Sequence, residues 1–411
     1  MRQPHPPKIP RNVCVTSITS FLTDVSSEMI NNLLPLFLAN ILGASTALIG
    51  LIEGIAEMTA SFLKGFSGWL SDKLDNRKGL ATSGYALSAL AKPFFYVVSS
   101  WGGVLAIRFA DRAGKGIRTS PRDALIANSI DEHHRGIAFG IHRASDTAGA
   151  FIGIGIALII ILIIQAQSTE LSIDAFHTLV LISIIPAFLA VIILATFAKE
   201  VRVAKSSEQS TRFTWSALNP KFKSFLWIIA IFTLGNSSDA FIILLAQERG
   251  LNIAQILAML LTFNFVYTVF SRPLGRLSDK IGRKRVLVGG WVIYACLYMG
   301  FAMTSTGTQI WLLYGLYGLY YAATEGTAKA MVADMIPTEQ RGTAYGYYNG
   351  LIGFLALPAS FIAGILWQGF GTWTGFGASA PFLFGAVLSL IAVILLMRQT
   401  TIQHEASVSV K

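Results

Sequence analysis

The chain has 411 residues, 53% of them hydrophobic and only 13% charged, with a mean hydropathy of +0.58. Soluble globular proteins carry roughly 25% charged residues, so this composition excludes an ordinary soluble domain. The formal net charge of +10 is no nucleic-acid footprint, because the basic residues are distributed by loop, and the two cysteines, Cys14 and Cys296, give neither a disulfide framework nor a metal site.

Apolar runs of about 20 residues, the length that crosses a ~30 Å hydrocarbon core as helix, recur along the chain. In order they predict helices over 13–42, 47–71, 79–99, 102–128, 136–165, 174–198, 223–247, 253–277, 285–304, 309–335, 341–368 and 378–398. Only a helix or a closed barrel satisfies its backbone hydrogen bonds in lipid, and these runs lack the two-residue alternation of barrel strands. The fold class expected is an all-α integral membrane protein with twelve transmembrane helices. The first run follows a short basic stretch (Arg2, Lys8, Arg11) without a small-residue cleavage site, and reads as a retained helix. The longest polar stretch, 199–222, falls at the midpoint and reads as a linker between two six-helix halves, 1–198 and 223–398. Residues 399–411 read as a disordered tail.

An even number of spans puts both termini on one side. Loops on that side carry Lys73, Arg77 and Lys78, then Lys199, Arg202, Lys205, Arg212, Lys221 and Lys223, then Lys280, Arg283, Lys284 and Arg285. The opposite loops are nearly free of Lys and Arg, with Arg249 the exception. The positive-inside rule places both termini in the cytoplasm, and the expected location is the plasma (cytoplasmic or inner) membrane.

The halves resemble each other. Gly68-Trp-Leu-Ser-Asp-Lys-Leu74 matches Gly275-Arg-Leu-Ser-Asp-Lys-Ile281, and Arg135-Gly-Ile-Ala-Phe-Gly140 matches Arg341-Gly-Thr-Ala-Tyr-Gly346 at nearly the same offset. Parallel six-helix repeats predict two bundles with a site between them. These paired loops, the stretch Arg112-Ala-Gly-Lys-Gly116 and the 6+6 layout resemble the major facilitator superfamily over residues 13–398. The second loop copy, through Arg285, fits the family signature closely. The first departs from it, with Asp75-Asn76 where Gly and a basic residue are usual. Thr23-Asp-Val-Ser-Ser-Glu-Met29 and the stretch from Gly114 to Ala124 resemble a bacterial subgroup of that family.

The resemblance implies a latch. In the family the loop acid lies against a helix N-terminus of the other half, where partial positive charge stabilises a carboxylate. Here Asp72 would meet helix 11 near Arg341, and Asp279 would meet helix 5 near Arg135. Gly68, Arg77, Gly275 and Arg283 complete the two motifs, which would hold the outward-facing state.

Ionisable residues inside a membrane are costly and are functional candidates by default. Helix 4 carries Arg108, Arg112, Lys115, Arg118 and Arg122, and steps of three and four put Arg108, Arg112, Lys115 and Arg122 on one stripe. Asp24 and Glu28 in helix 1, and Glu53 and Glu57 in helix 2, are spaced i,i+4; helix 5 adds His142, Arg143 and Asp146. At ~1.5 Å per residue, Asp24, Glu57, Arg112 and Asp146 all fall about 16 Å from their helix starts. The family resemblance implies that helices 1 and 4 line the central cavity, so these groups are expected to form one network for substrate and proton coupling. Acids and bases nearly balance in the first half, whereas the second half has only Asp239, Glu325, Lys329 and Asp334. Tyr314, Tyr317, Tyr320 and Tyr321 in helix 10 suit either a cavity wall or packing. Gly149 and Gly153, and Gly346, Gly350 and Gly353, permit close helix approach. Family exporters often carry a Gly-Pro pair in helix 5; its absence here counts against proton antiport.

The expected function is a secondary, proton-coupled transporter of a small polar or anionic organic solute, working by alternating access. A carboxylate such as Asp24 or Glu57 would pair with Arg112 when the site is empty. The alternatives are a multidrug-type proton antiporter of cationic or amphipathic compounds, or a membrane receptor. Gly114-Lys-Gly116 lacks the phosphate-loop frame, and no nucleophile–base or metal arrangement appears. The expectation is therefore no enzyme, no cofactor, no metal and no nucleic acid. The expected partners are the bilayer, a small-molecule substrate and protons, and the expected state is a monomer.

Overall fold

The computed structural model describes residues 9–131, 134–201, 218–337 and 341–399. Twelve spans follow one another. They are α1 (Arg11–Asn31, continued by Leu34–Leu36 and a widened turn at Phe37–Ile41), α2 (Thr46–Leu74), α3 (Arg77–Ala91, ending in a tight turn Lys92–Tyr96), α4 (Trp101–Ala127), α5 (Arg135–Gln165) and α6 (Ile173–Phe197). The second half repeats the count. It comprises α7 (Pro220–Gly235, broken and resumed as Ala240–Glu248), α8 (Ile253–Ile281), α9 (Arg283–Met303), α10 (Gly307–Met335), α11 (Arg341–Gln368) and α12 (Ala380–Arg398). Every expected span is present within four residues at each end. Much of 199–222 and nearly all of 399–411, expected as linker and tail, lie outside the described residues. So do the side chains of Asp72 and of residues 341–343.

Five helices that start at the end remote from the termini carry side-chain caps. Ser45, Ser100 and Ser172 accept from the N–H of Leu48, Gly103 and Ala175, and Asn252 and Thr306 open capping boxes with Gln255 and Gln309. Such caps satisfy donors that a helix leaves free in its first turn.

Each half ties its own ends together on the terminus side. Arg77 donates to the Val201 carbonyl at 3.0 Å, and Glu200 accepts from the N–H groups of Arg77 and Lys78 at 3.1 and 2.8 Å. Lys284, the repeat partner of Arg77, donates to the Gln399 and Met397 carbonyls. The cores differ in chemistry. Phe37 stacks on Phe176 at 4.0 Å in the first half. The second half buries an aromatic mass around Trp291, Tyr294, Tyr298, Tyr314 and Tyr317, with Phe232 stacked on Trp291 at 4.5 Å.

The two halves meet mainly along α2 with α11 and α5 with α8. They are sealed at the end remote from the termini. Asn40 and Gln247 exchange hydrogen bonds at 2.8 and 3.1 Å, Gln247 reaches the Thr169 carbonyl at 2.7 Å, and Thr46 bonds Gln368 and the Gly364 carbonyl at 2.8 and 2.9 Å. Glycines permit this contact: a Cβ on Gly54 would lie 2.6 Å from the Leu357 Cα.

Candidate functional site

Below that seal, three connected cavities run to the terminus side. One of ≈ 480 Å³ lies between the halves, a smaller one of ≈ 210 Å³ lies among α1, α2, α4 and α7, and a vestibule of ≈ 810 Å³ opens among α1, α2, α4, α5, α8 and α10. Asp24, Glu28, Glu53, Glu57, Arg108, Arg112 and Lys115 all line the ≈ 210 Å³ cavity. Asp146 lines the vestibule, together with Asp24, Glu28 and Lys115.

The i,i+4 pairs on α2 and α4 make two rungs of a ladder. On the inner rung, Arg108 is 3% exposed and donates to both oxygens of Glu53, at 3.0 and 3.2 Å. Arg108 also donates to Asn31 of α1 at 2.6 Å and stands 4.0 Å from Asp111. A buried pair so furnished is a structural clamp, and removal of one partner costs about 3–5 kcal/mol. One turn toward the terminus side the second rung is loose. Arg112 is buried and 3.8 Å from Glu57, whose side chain is 49% exposed to the cavity. Arg112 thus approaches Glu57 and not Asp24, and among the described residues Asp24 has no hydrogen bond or ion pair.

Two groups were not singled out by sequence reasoning. Lys92, 3% exposed, donates to the hydroxyls of Ser26 and Ser27 and places an ammonium behind Asp24 and Glu28 of α1. Asp111 sits beside Arg108 and Arg112.

The second half contributes more than its few charges suggested. Helix α7 is broken at Asn236–Asp239, and Asp239 lines both inner cavities, accepting from Tyr317 at 3.2 Å and Tyr321 at 3.4 Å. The α10 tyrosines divide between two roles: Tyr314 and Tyr317 are packed in the core, while Tyr320 and Tyr321 face the ≈ 480 Å³ cavity. Glu325 accepts from Tyr267 at 2.6 Å, Lys329 at 3.2 Å and Arg143 of the other half at 3.0 Å. His142 lies 3.7 Å from Asp146, and Arg122 bonds Asp123 at 2.8 Å and Ser20 at 3.3 Å.

The loop residues stand apart from one another. Asp279 is exposed and has no hydrogen bond or ion pair among the described residues. Arg283 bridges Asp334 at 2.6 Å within its own half, and Arg135 donates to the Ala127 carbonyl at 3.2 Å. A Cβ on Gly68 would lie 3.3 Å from the Ser120 Cβ, and one on Gly275 would meet nothing within 4 Å. Of the small residues expected at close contacts, Gly149 and Gly153 seat α5 on the α1 backbone and Gly353 meets Ser61, while Gly346 and Gly350 touch no neighbouring helix.

A family model described as Major Facilitator Superfamily matches residues 16–244 and 225–410. The chain is 38% identical over 396 residues to an uncharacterized MFS-type transporter of Methanocaldococcus jannaschii, covering 95% of each chain. It is 24% identical over 348 residues to multidrug resistance protein MdtG of Klebsiella pneumoniae, covering 82% of each. A solved structure of the nucleoside transporter NupG superposes with a TM-score of 0.77 at 14% identity, over 95% of this chain and 100% of that one, a likeness of fold.

Proposed function

The chain belongs to the major facilitator superfamily and is a membrane transporter; from that premise we propose that it exchanges protons for a small organic solute bearing positive charge. The carrying observation is the wall of the ≈ 480 Å³ cavity. It presents Glu53, Glu57, Asp239 and Glu325, no Lys or Arg among the described residues, and the rings of Phe232, Trp291, Tyr320, Tyr321 and Tyr348. Carboxylates beside aromatic faces bind organic cations, through charge and through the ring quadrupole. The basic groups that favoured an anionic solute line the smaller cavity and not this one, and Arg108 is clamped by Glu53 while Arg112 is buried beside Glu57.

Glu57 is the exchanging group in this reading. Its loose contact with Arg112 leaves the carboxylate facing the cavity, where a proton or an ammonium can neutralise it, one excluding the other. An unneutralised charge at membrane depth costs several kcal/mol, so the carrier crosses between its two openings with one or the other bound. The missing Gly-Pro pair of α5 does not bear on this competition, because Gly149 and Gly153 serve the packing of α5 on α1. The charged loops support cytoplasmic termini and residence in the plasma membrane, so the vestibule opens inward here. The freely exposed Asp279 fits a latch that is released in this state and engaged in the opposite one.

The test is flux in liposomes containing the purified protein, with ethidium as the organic cation. Ethidium is expected to accumulate against its gradient when a pH gradient is imposed, with accumulation abolished by a protonophore and in Glu57→Gln. Flux confined to anionic or neutral solutes overturns the reading.

A further inference from the structure

The carboxylates of the inner cavities outnumber the basic groups. Asp24, Glu28, Glu53, Glu57, Asp111, Asp239 and Glu325 line them. Arg108, Arg112, Lys115 and Arg118 line them too, with Lys92 close behind α1. With Arg143 and Lys329, the partners of Glu325, seven acids meet seven bases, and formal charge alone singles out no carboxylate. Three of these acids have or face a basic partner: Glu53 has Arg108, Asp111 lies beside Arg108, and Glu325 has Arg143 and Lys329.

Of the three acids that line both inner cavities, Glu53 is clamped by Arg108, which leaves two, and they belong to different halves. Asp24, also without an ion pair among the described residues, lines only the smaller of those two cavities. Glu57 of α2 is half-exposed and 3.8 Å from its arginine. Asp239, at the break of α7, has only tyrosine hydroxyls as partners among the described residues. Both line the ≈ 480 Å³ cavity and both line the ≈ 210 Å³ cavity. From this juxtaposition we propose that the solute is a dication, an aliphatic diamine or a longer polyamine, held with one ammonium on Glu57 and the other on Asp239.

The inference rests on the cation reading and extends it. A monocation neutralises one half and leaves the other carboxylate to a proton. A dication satisfies both at once and links the two bundles across their interface. Two protons then replace one diamine with charge conserved in the site. The polar break Asn236–Asp239 gives the second ammonium hydroxyl and amide oxygens, and Tyr320 and Tyr321 flank the methylene chain. Such a chain needs no bulky ring pocket.

The experiment measures equilibrium binding to the purified protein, and flux in liposomes, for butylamine and hexylamine against 1,4-diaminobutane, 1,6-diaminohexane and spermidine. The diamines are expected to bind at least about tenfold more tightly than monoamines of equal length, with one favoured chain length that reports the Glu57–Asp239 separation. Asp239→Asn is expected to bring the diamine-to-monoamine ratio close to one, and Asp239→Glu to retain a preference at a shifted chain length. Equal affinities for monoamines and diamines in the wild type overturn the dication inference and leave the cation reading standing. Failure of every amine, with ethidium also excluded, overturns both.

Discussion

Replacing Gly54 by alanine tests the seal that defines the observed state. The new Cβ would lie 2.6 Å from the Leu357 Cα and 3.0 Å from its carbonyl oxygen, whereas ordinary contact begins at 3.4 Å. Helices α2 and α11 must therefore separate by about 0.8 Å (3.4 minus 2.6), and the obstacle is backbone that cannot rotate away. Crowding of a packed interface costs about 1–3 kcal/mol. In alternating access the state open at the remote end separates these helices and escapes the cost, so the ratio of the two states shifts about 5–150-fold toward it. The assay is spin-label distance measurement between Ala44 and Phe370, on loops at that end, in a background with Cys14 and Cys296 replaced by serine. Gly65→Ala on the same helix, where nothing lies within 4 Å, is the matched control. Unchanged distances in Gly54→Ala, equal to the control, would refute the claim that the α2–α11 contact belongs to one state only.

Arg143→Gln removes an exposed ion pair to Glu325 that spans the halves, worth under about 1 kcal/mol. Label distances at the terminus side are expected to shift modestly, and a complete switch of state would show that the bridge is the principal lock. Asp279→Ala is expected to leave the observed state untouched, because Asp279 is exposed and has no partner there among the described residues. It should instead disfavour the opposite state by about 0.3–1 kcal/mol through loss of a helix-end contact; labels on the terminus-side ends of α4 and α10 read this, and no shift would reduce the motif to a topology signal. Lys92→Met removes charged hydrogen bonds to Ser26 and Ser27, worth about 1.5–3 kcal/mol. A lowered thermal midpoint in detergent is expected, and an unchanged one would contradict the tie between α1 and α3.

Lipid explains why the fold was legible. A long apolar run has no other stable conformation in a bilayer, so helix bounds could be placed to within a few residues. Among the described residues, eight helices are long and apolar enough to cross a membrane by length and composition alone, and α1, α3, α4 and α10 fall short. Two of these carry most of the ladder and network: α1 has Asp24 and Glu28, and α4 has Arg108 and Arg112. Loss of apolarity is therefore a sequence signal for the cavity. Pairing was less legible, because helical rise gives the depth of Arg112 but not the direction it faces, which is toward α2. The break in α7 escaped a hydropathy reading that ran from 223 to 247. Its signal was the cluster Gly235-Asn-Ser-Ser-Asp239, whose side chains compete with helical hydrogen bonds. With the break unseen, Asp239 stayed outside the expected first-half network, although it shares both inner cavities with Glu57. Lys92 was missed because it lies where α3 tightens into its last turn.

Proton release on solute binding tests the shared carboxylate most directly. Purified protein in weakly buffered detergent solution is titrated with ethidium or a diamine while a pH electrode follows the medium. Exchange at Glu57 predicts release of protons that saturates with binding and, for ethidium, disappears in Glu57→Gln. Saturable binding with no proton release at any pH between about 5 and 9 would contradict it.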